Sequence, residues 1–211
     1  MTAPTPQPVP PTDSRRRIHS QVALSLLEAL RDQDLPEEIL DDENVSITMP
    51  RRLGLSGVVD TQIRRYREEV RRRRRIPDAE VRDLIRLVVR RPDSEDVFLR
   101  VGEDLNRGEG GGGWAGVLPQ GLQRRIALRR IRRKLRWLFG RRLVQATGIP
   151  FVLRATESLF IDGDPGGDAC QIVTGIARAE LQRMGGASGR LTHRACLGKG
   201  DDACVWELAE D

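Results

Sequence analysis

Three cysteines and one of the two histidines in this 211-residue chain fall near its C-terminal end: Cys170, His193, Cys196 and Cys204. No other feature constrains the fold as strongly, because convergence of the four would force three separate segments onto one point. Three thiolates and one imidazole are the donor set that tetrahedral zinc prefers, and four protein ligands leave no position open for a substrate. A metal bound there would be a structural clip rather than a catalytic centre. Two other readings remain open on residue types alone. The thiols can be reduced core residues of a hairpin, or Cys196 and Cys204 can form a disulfide that leaves one thiol over. Residues 1–13 are rich in Pro and Thr and do not read as a secretory leader. A reducing cytosol is therefore the expected compartment, and it disfavours the disulfide.

The local pattern sets a condition on the metal. Leu191 to Leu197 alternates like a strand, and a regular strand sends residues three apart to opposite faces. His193 and Cys196 can share an ion only if the strand bulges, bends or ends between them. Gly198 and Gly200 flank Lys199 ahead of Asp201, which predicts a tight turn, with Cys204 to Leu208 as the returning strand.

Cys170, Gly175-Ile-Ala-Arg-Ala-Glu180, His193, Cys196, Gly200-Asp201, Cys204 and Trp206 together resemble the C-terminal signature of the 4-vinyl-reductase domain family. The likeness covers about residues 155–208. Sensor members of that family hold zinc with a Cys, Glu, Cys, Cys set. Carried over position by position, the resemblance implies a structural Zn²⁺ on Cys170, His193, Cys196 and Cys204, with His193 in place of the family's glutamate. It also implies an α+β fold and a small hydrophobic or aromatic ligand held between helix and sheet.

The remaining sequence is consistent with one α+β domain over residues 14–211 behind a disordered Pro-rich tail over residues 1–13. Ser14 is expected to cap a helix reaching about Gln33, with His19 exposed among polar neighbours. Pro36 to Glu43 reads as an acidic connector and Val45 to Met49 as a short strand. Further helices are expected from about Val59 to Arg75, from Pro77-Asp78 to Pro92, from Asp93 or Ser94 through Leu105, over Leu122–Phe139, and from Cys170 to Gly185-Gly186. Gly108 to Gly113 reads as a flexible loop rather than a phosphate cradle. Ile149 to Ala155 and Ser158 to Ile161 look like strands. The Asp-rich stretch Asp162 to Asp168 reads as a plain turn in preference to a calcium loop. Helices first and strands later point to an antiparallel sheet packed with helices and closed by a zinc-clipped C-terminal hairpin.

All but two of the 36 basic residues are arginine, a bias that reads as compositional. Their distribution is more telling, since no carboxylate occurs between Glu109 and Glu157. In the predicted Leu122–Phe139 helix, Arg124, Arg125, Arg129, Arg132, Arg133 and Arg136 surround an apolar stripe. Such a helix can meet a membrane or nucleic acid. The favoured reading is a surface helix whose arginine heads pair with acidic residues elsewhere, because no aromatic residues interleave for base stacking.

No nucleotide-binding motif, Ser-His-Asp set or paired acid and base stands out, so the residues do not argue for an enzyme. The leading expectation is a zinc-stabilised, ligand-binding or sensor module of the cytoplasm, with Trp114, Trp137, Phe139, Phe151 and Phe160 as candidate lining. It is expected to form a homodimer and to need a separate output partner. The alternatives are a tetrapyrrole-binding protein acting in bacteriochlorophyll 4-vinyl reduction, as the family name implies, and a structural adaptor using the basic helix.

Overall fold

The computed structural model describes residues 16–33, 57–107, 118–140, 143–148, 150–184 and 189–209. The expected tail, the Ser14 cap, the acidic connector, the strand at Val45–Met49, the Gly108–Gly113 loop, Trp114 and the Gly185-Gly186 stop lie outside these residues. Strand β1 (Arg16–His19) runs directly into helix α1 (Ser20–Gln33) and pairs antiparallel with β2 (Arg75–Pro77). The helix therefore begins later than its four-residue periodicity predicts. Ile18 fits the helical stripe, but pairing with Ile76 draws residues 16–19 into a ribbon. Tertiary pairing overrides local preference here.

Helix α2 (Gly57–Arg71) ends before Arg73, a left-handed residue that turns the chain into β2. Pro77 then stands at the N-cap of α3 (Asp78–Val89), where a missing N–H costs nothing. The Arg17 guanidinium holds the buried Asp78 carboxylate at 2.6 Å and ties β1 to α3. Helix α4 (Ser94–Leu105) follows, and then α5 (Gln120–Phe139). Helix α5 ends at Gly140 in the left-handed region, where an added Cβ would strike the Arg17 carbonyl at 2.5 Å. Only glycine permits that close approach to β1.

The main sheet is antiparallel throughout, in the order β3 (Gln145–Gly148), β4 (Phe151–Ala155), β6 (Cys204–Ala209), β5 (Arg190–Ala195). The α+β class and antiparallel sheet are as the sequence predicts, but two strand assignments need correction. β4 begins at Phe151, with Pro150 in the turn before it, rather than at the expected Ile149, which lies outside the described residues. Ser158 to Ile161 is a turn rather than a strand, for Leu159 and Phe160 are both buried. Adjacent side chains of a strand face opposite ways, whereas a turn can bury both. The Ser158 hydroxyl accepts the Phe160 N–H, and the Phe160 carbonyl takes the N–H groups of Gly163 and Asp164.

Helix α6 (Gln171–Arg183) lies between α4 and the sheet. It crosses α4 at two glycines: a Cβ on Gly175 would stand 2.3 Å from the Leu99 carbonyl and 2.9 Å from Gly102 Cα. Backbone therefore touches backbone at this crossing. Phe98, Val101, Leu105, Ile172, Val173 and Ile176 are buried around it, within a core continuous from α1 to the sheet. Among the described residues no helix is long and apolar enough to cross a membrane.

Candidate metal centre

Four ligand atoms, one each from Cys170, His193, Cys196 and Cys204, lie within 4.8 Å of one another. Each arrives by a different local device. Cys170 closes a 3₁₀ turn (Asp168–Cys170) at the start of α6 and is fully buried. That turn is set by Asp164, whose buried carboxylate accepts the N–H groups of Gly166 at 3.0 Å and Ala169 at 2.6 Å. Asp168 in turn accepts the Ser94 hydroxyl at 2.6 Å, fixing the turn to the first residue of α4. The acidic loop is thus a scaffold, as its reading as a plain turn requires. Its carboxylates are committed to backbone, to Ser94 and, for Asp162, to Arg82.

The strand condition is met twice. The β5–β6 register shifts between His193 and Ala195, so Arg194 is an extra residue, and β5 ends at Ala195. Cys196 then opens a knuckle. Its carbonyl accepts Lys199 N–H and Asp201 N–H, while its own N–H donates to the Asp201 carboxylate at 2.7 Å. Gly200 at φ 91° makes the left-handed step that closes this turn. On β6, Cys204, Trp206 and Leu208 alternate onto the buried face. Trp206 stacks on the His193 ring, with centroids 4.7 Å apart, and donates its indole N–H to Thr174 Oγ1 on α6.

The sulfur geometry excludes one of the three readings of the thiols and fits another. The Sγ–Sγ separations are 3.7 Å for Cys170–Cys204, 3.9 Å for Cys196–Cys204 and 4.0 Å for Cys170–Cys196. A disulfide needs about 2.05 Å, and all three cysteines are free. A tetrahedron with metal–sulfur bonds of about 2.3 Å has edges of about 3.8 Å. The observed triangle matches that edge on every side, so these residues fit a tetrahedral metal.

The electrostatics point the same way. Cys204 accepts hydrogen bonds from the Cys170 thiol, from His193 and from the Leu197 N–H, which hold it down to about 4. Its negative charge, through that same hydrogen bond, pushes Cys170 up together with burial. Burial also raises Cys196, against the lowering effect of the Gly198 N–H. Three thiols crowded in a dry site cannot all ionise unless a cation joins them. Packing around the sulfurs leaves no slack. A Cβ on Gly167 would stand 2.4 Å from Cys196 Sγ, and one on Gly198 2.6 Å from the Pro165 carbonyl.

Beside the centre, a cleft of about 770 Å³ opens between α4, α6 and β5. His193 and Thr174 line it on the side of the metal cluster, Leu99, Leu181 and Leu191 supply its apolar surface, and Glu95, Asp96, Arg178 and Arg190 give it a charged lining of mixed sign. Among the described residues, none of the aromatic side chains expected to line a pocket reaches it. Phe139, Phe151 and Phe160 are buried in the core, and Trp137 is exposed on α5. His19 also differs from expectation. It is buried, stacked on Trp137 at 4.2 Å, and depressed to about 4 by burial and by the nearby charges of Arg75, Lys134 and Arg73.

Along α5, Arg125, Arg129, Arg132, Arg133 and Arg136 are exposed and Arg124 is half-buried. The expected pairing of these heads with distant carboxylates is not found among the described residues for the five exposed arginines. Arg130, on another face, is the residue of this helix that approaches buried Glu180, at 4.0 Å. Sequence reasoning missed Asp164, Asp201 and Thr174, which orient the ligands. An Asp two residues before Gly166 and an Asp directly after Gly200 are the turn signals that mark the first two.

No family model, no curated protein and no solved structure matches this chain.

Proposed function

We propose that the protein is a zinc-clipped module that binds a small molecule in the cleft beside the metal centre. The observation that carries this reading is the shared wall. His193 belongs to the metal cluster and also lines the cleft, while Trp206 and Thr174 connect the cluster to α6. The zinc would supply no chemistry to a substrate. Bound by four protein ligands, it holds β5, β6 and the start of α6 together and so fixes the cleft's walls. The resemblance to the 4-vinyl-reductase domain family supports both parts of the reading.

The cleft's volume suits a ligand of drug size. Its lining favours a molecule with an apolar body set against Leu99, Leu181 and Leu191 and a polar group toward the mixed charges of Glu95, Asp96, Arg178 and Arg190. Thermal unfolding of zinc-loaded protein against phenols, fatty acids and tetrapyrroles tests the proposal. One class should raise the midpoint, by the equivalent of about 2.7 kcal/mol at a hundredfold excess over Kd. Leu191→Glu, which places a charge on the apolar wall, should abolish that shift while keeping the metal. No shift from any class, or a shift unchanged by Leu191→Glu, would defeat the reading.

A further inference from the structure

We infer that the outward face of α5 is a docking surface for the phosphate backbone of nucleic acid. Arg125, Arg129, Arg132 and Arg136 follow one another at spacings of four, three and four residues, so they share a single stripe. At 1.5 Å per residue, their rises are about 6, 4.5 and 6 Å, a row of about 16 Å. Arg133 flanks it, and all five are exposed. Like charges three and four apart destabilise a helix. Here that repulsion is uncompensated, as none of the five has an ion-pair partner among the described residues. The chain supplies no carboxylate between Glu109 and Glu157 to provide one. Elsewhere the arginines are commonly paired, as Arg65, Arg67, Arg72 and Arg91 show.

The surface is grooved. Two recesses of about 270 and 280 Å³ share Arg132, Leu143 and Val144; Arg129, Arg133 and Arg136 line the first, and Arg154 with a single carboxylate, Glu157, lines the second. A linear polyanion can follow such a groove, and the guanidinium fork matches phosphate oxygens. A bilayer is the weaker fit. The apolar face of α5 is buried in the core through Ala127, Leu128, Ile131, Leu135 and Leu138, leaving Leu122 as the large apolar side chain exposed within the arc of the stripe. A surface helix needs an apolar face free to enter the lipid. With one aromatic nearby, Trp137, already stacked on His19, recognition rests on backbone phosphates and is independent of sequence.

Fluorescence anisotropy of a labelled DNA duplex with the full, zinc-loaded chain tests this between about 50 and 200 mM salt. Four to five phosphate contacts predict a slope of log K against log salt of about −4. Arg129→Gln with Arg132→Gln should flatten the slope by about 2 and weaken low-salt binding at least about tenfold, with zinc content and circular dichroism unchanged. The charge-matched pair Arg86→Gln with Arg90→Gln, on α3 and its C-terminal cap, should leave the slope as it was. Absence of binding at low salt, equal losses from both pairs, or tighter binding to phosphatidylserine vesicles than to duplex at the same salt would each overturn the inference.

Discussion

Gly175→Ala should destabilise the protein even though alanine is the better helix former. The substitution is worth up to about 1 kcal/mol in favour of the folded state at an unobstructed helical site. At Gly175 the new methyl would stand 2.3 Å from the Leu99 carbonyl, 2.8 Å from Glu103 N and 2.9 Å from Gly102 Cα. All three are backbone, so no side chain can swing aside, and α4 must retreat from α6 by about 1 Å. Separations of that size forfeit a quarter to a half of each dispersion contact along the crossing. Overpacking of this kind costs about 1–3 kcal/mol, and backbone obstruction places it at the upper end. The net loss is therefore about 2 kcal/mol after the gain in propensity. Gly121→Ala provides the internal reference. It lies in α5 with nothing within 4 Å of its Cβ position, and should stabilise by about 0.5–1 kcal/mol. Urea unfolding of the zinc-loaded variants followed by circular dichroism measures both. Gains of similar size from the two substitutions would refute the backbone contact between α4 and α6.

Gly167→Ala should weaken metal affinity by about 10–100-fold without removing a ligand, because its methyl displaces Cys196 Sγ; competition with a chromogenic chelator reads this directly. His19 gives a pH signature of stability. Its folded value of about 4 lies below the unfolded 6.5, so the unfolded state binds the extra proton as pH falls. Its contribution is intact above 6.5 and is lost from there down to about 4, by about 3 kcal/mol. Chemical denaturation across that window, compared with His19→Phe, which still stacks on Trp137 but cannot titrate, should show the slope vanish in the variant.

The site was more legible in the sequence than the fold around it. Soft ligands with a Gly-Asp turn announce their chemistry by residue type, and the alternation at Leu191–Leu197 even stated the condition of a bulge between His193 and Cys196. Helical stripes in α3, α4, α5 and α6 were readable because each buries one face over three turns or more. What escaped were features decided by distant partners. β1 hides in a helical pattern because Ile18 serves either structure, and only the presence of β2 decides. β3, an edge strand of sequence Gln-Ala-Thr-Gly, has no alternation to read. His19 looked exposed because its neighbours in sequence are polar, whereas Trp137 covers it from 118 residues away. Asp164 carried the mark of a turn in its spacing to Gly166, but nothing local showed that its carboxylate would also reach Ala169 and so present Cys170.

The central claim is that Cys170, His193, Cys196 and Cys204 hold one metal ion as a closed tetrahedral clip. Elemental analysis of protein purified without added metal tests it most directly, alongside His193→Ala and Cys204→Ser. The account predicts one zinc per chain in the parent protein, and loss of both metal and cooperative unfolding in the two variants. Less than about a tenth of an equivalent of zinc in the parent, with all three thiols titrating freely in the native state, would contradict it.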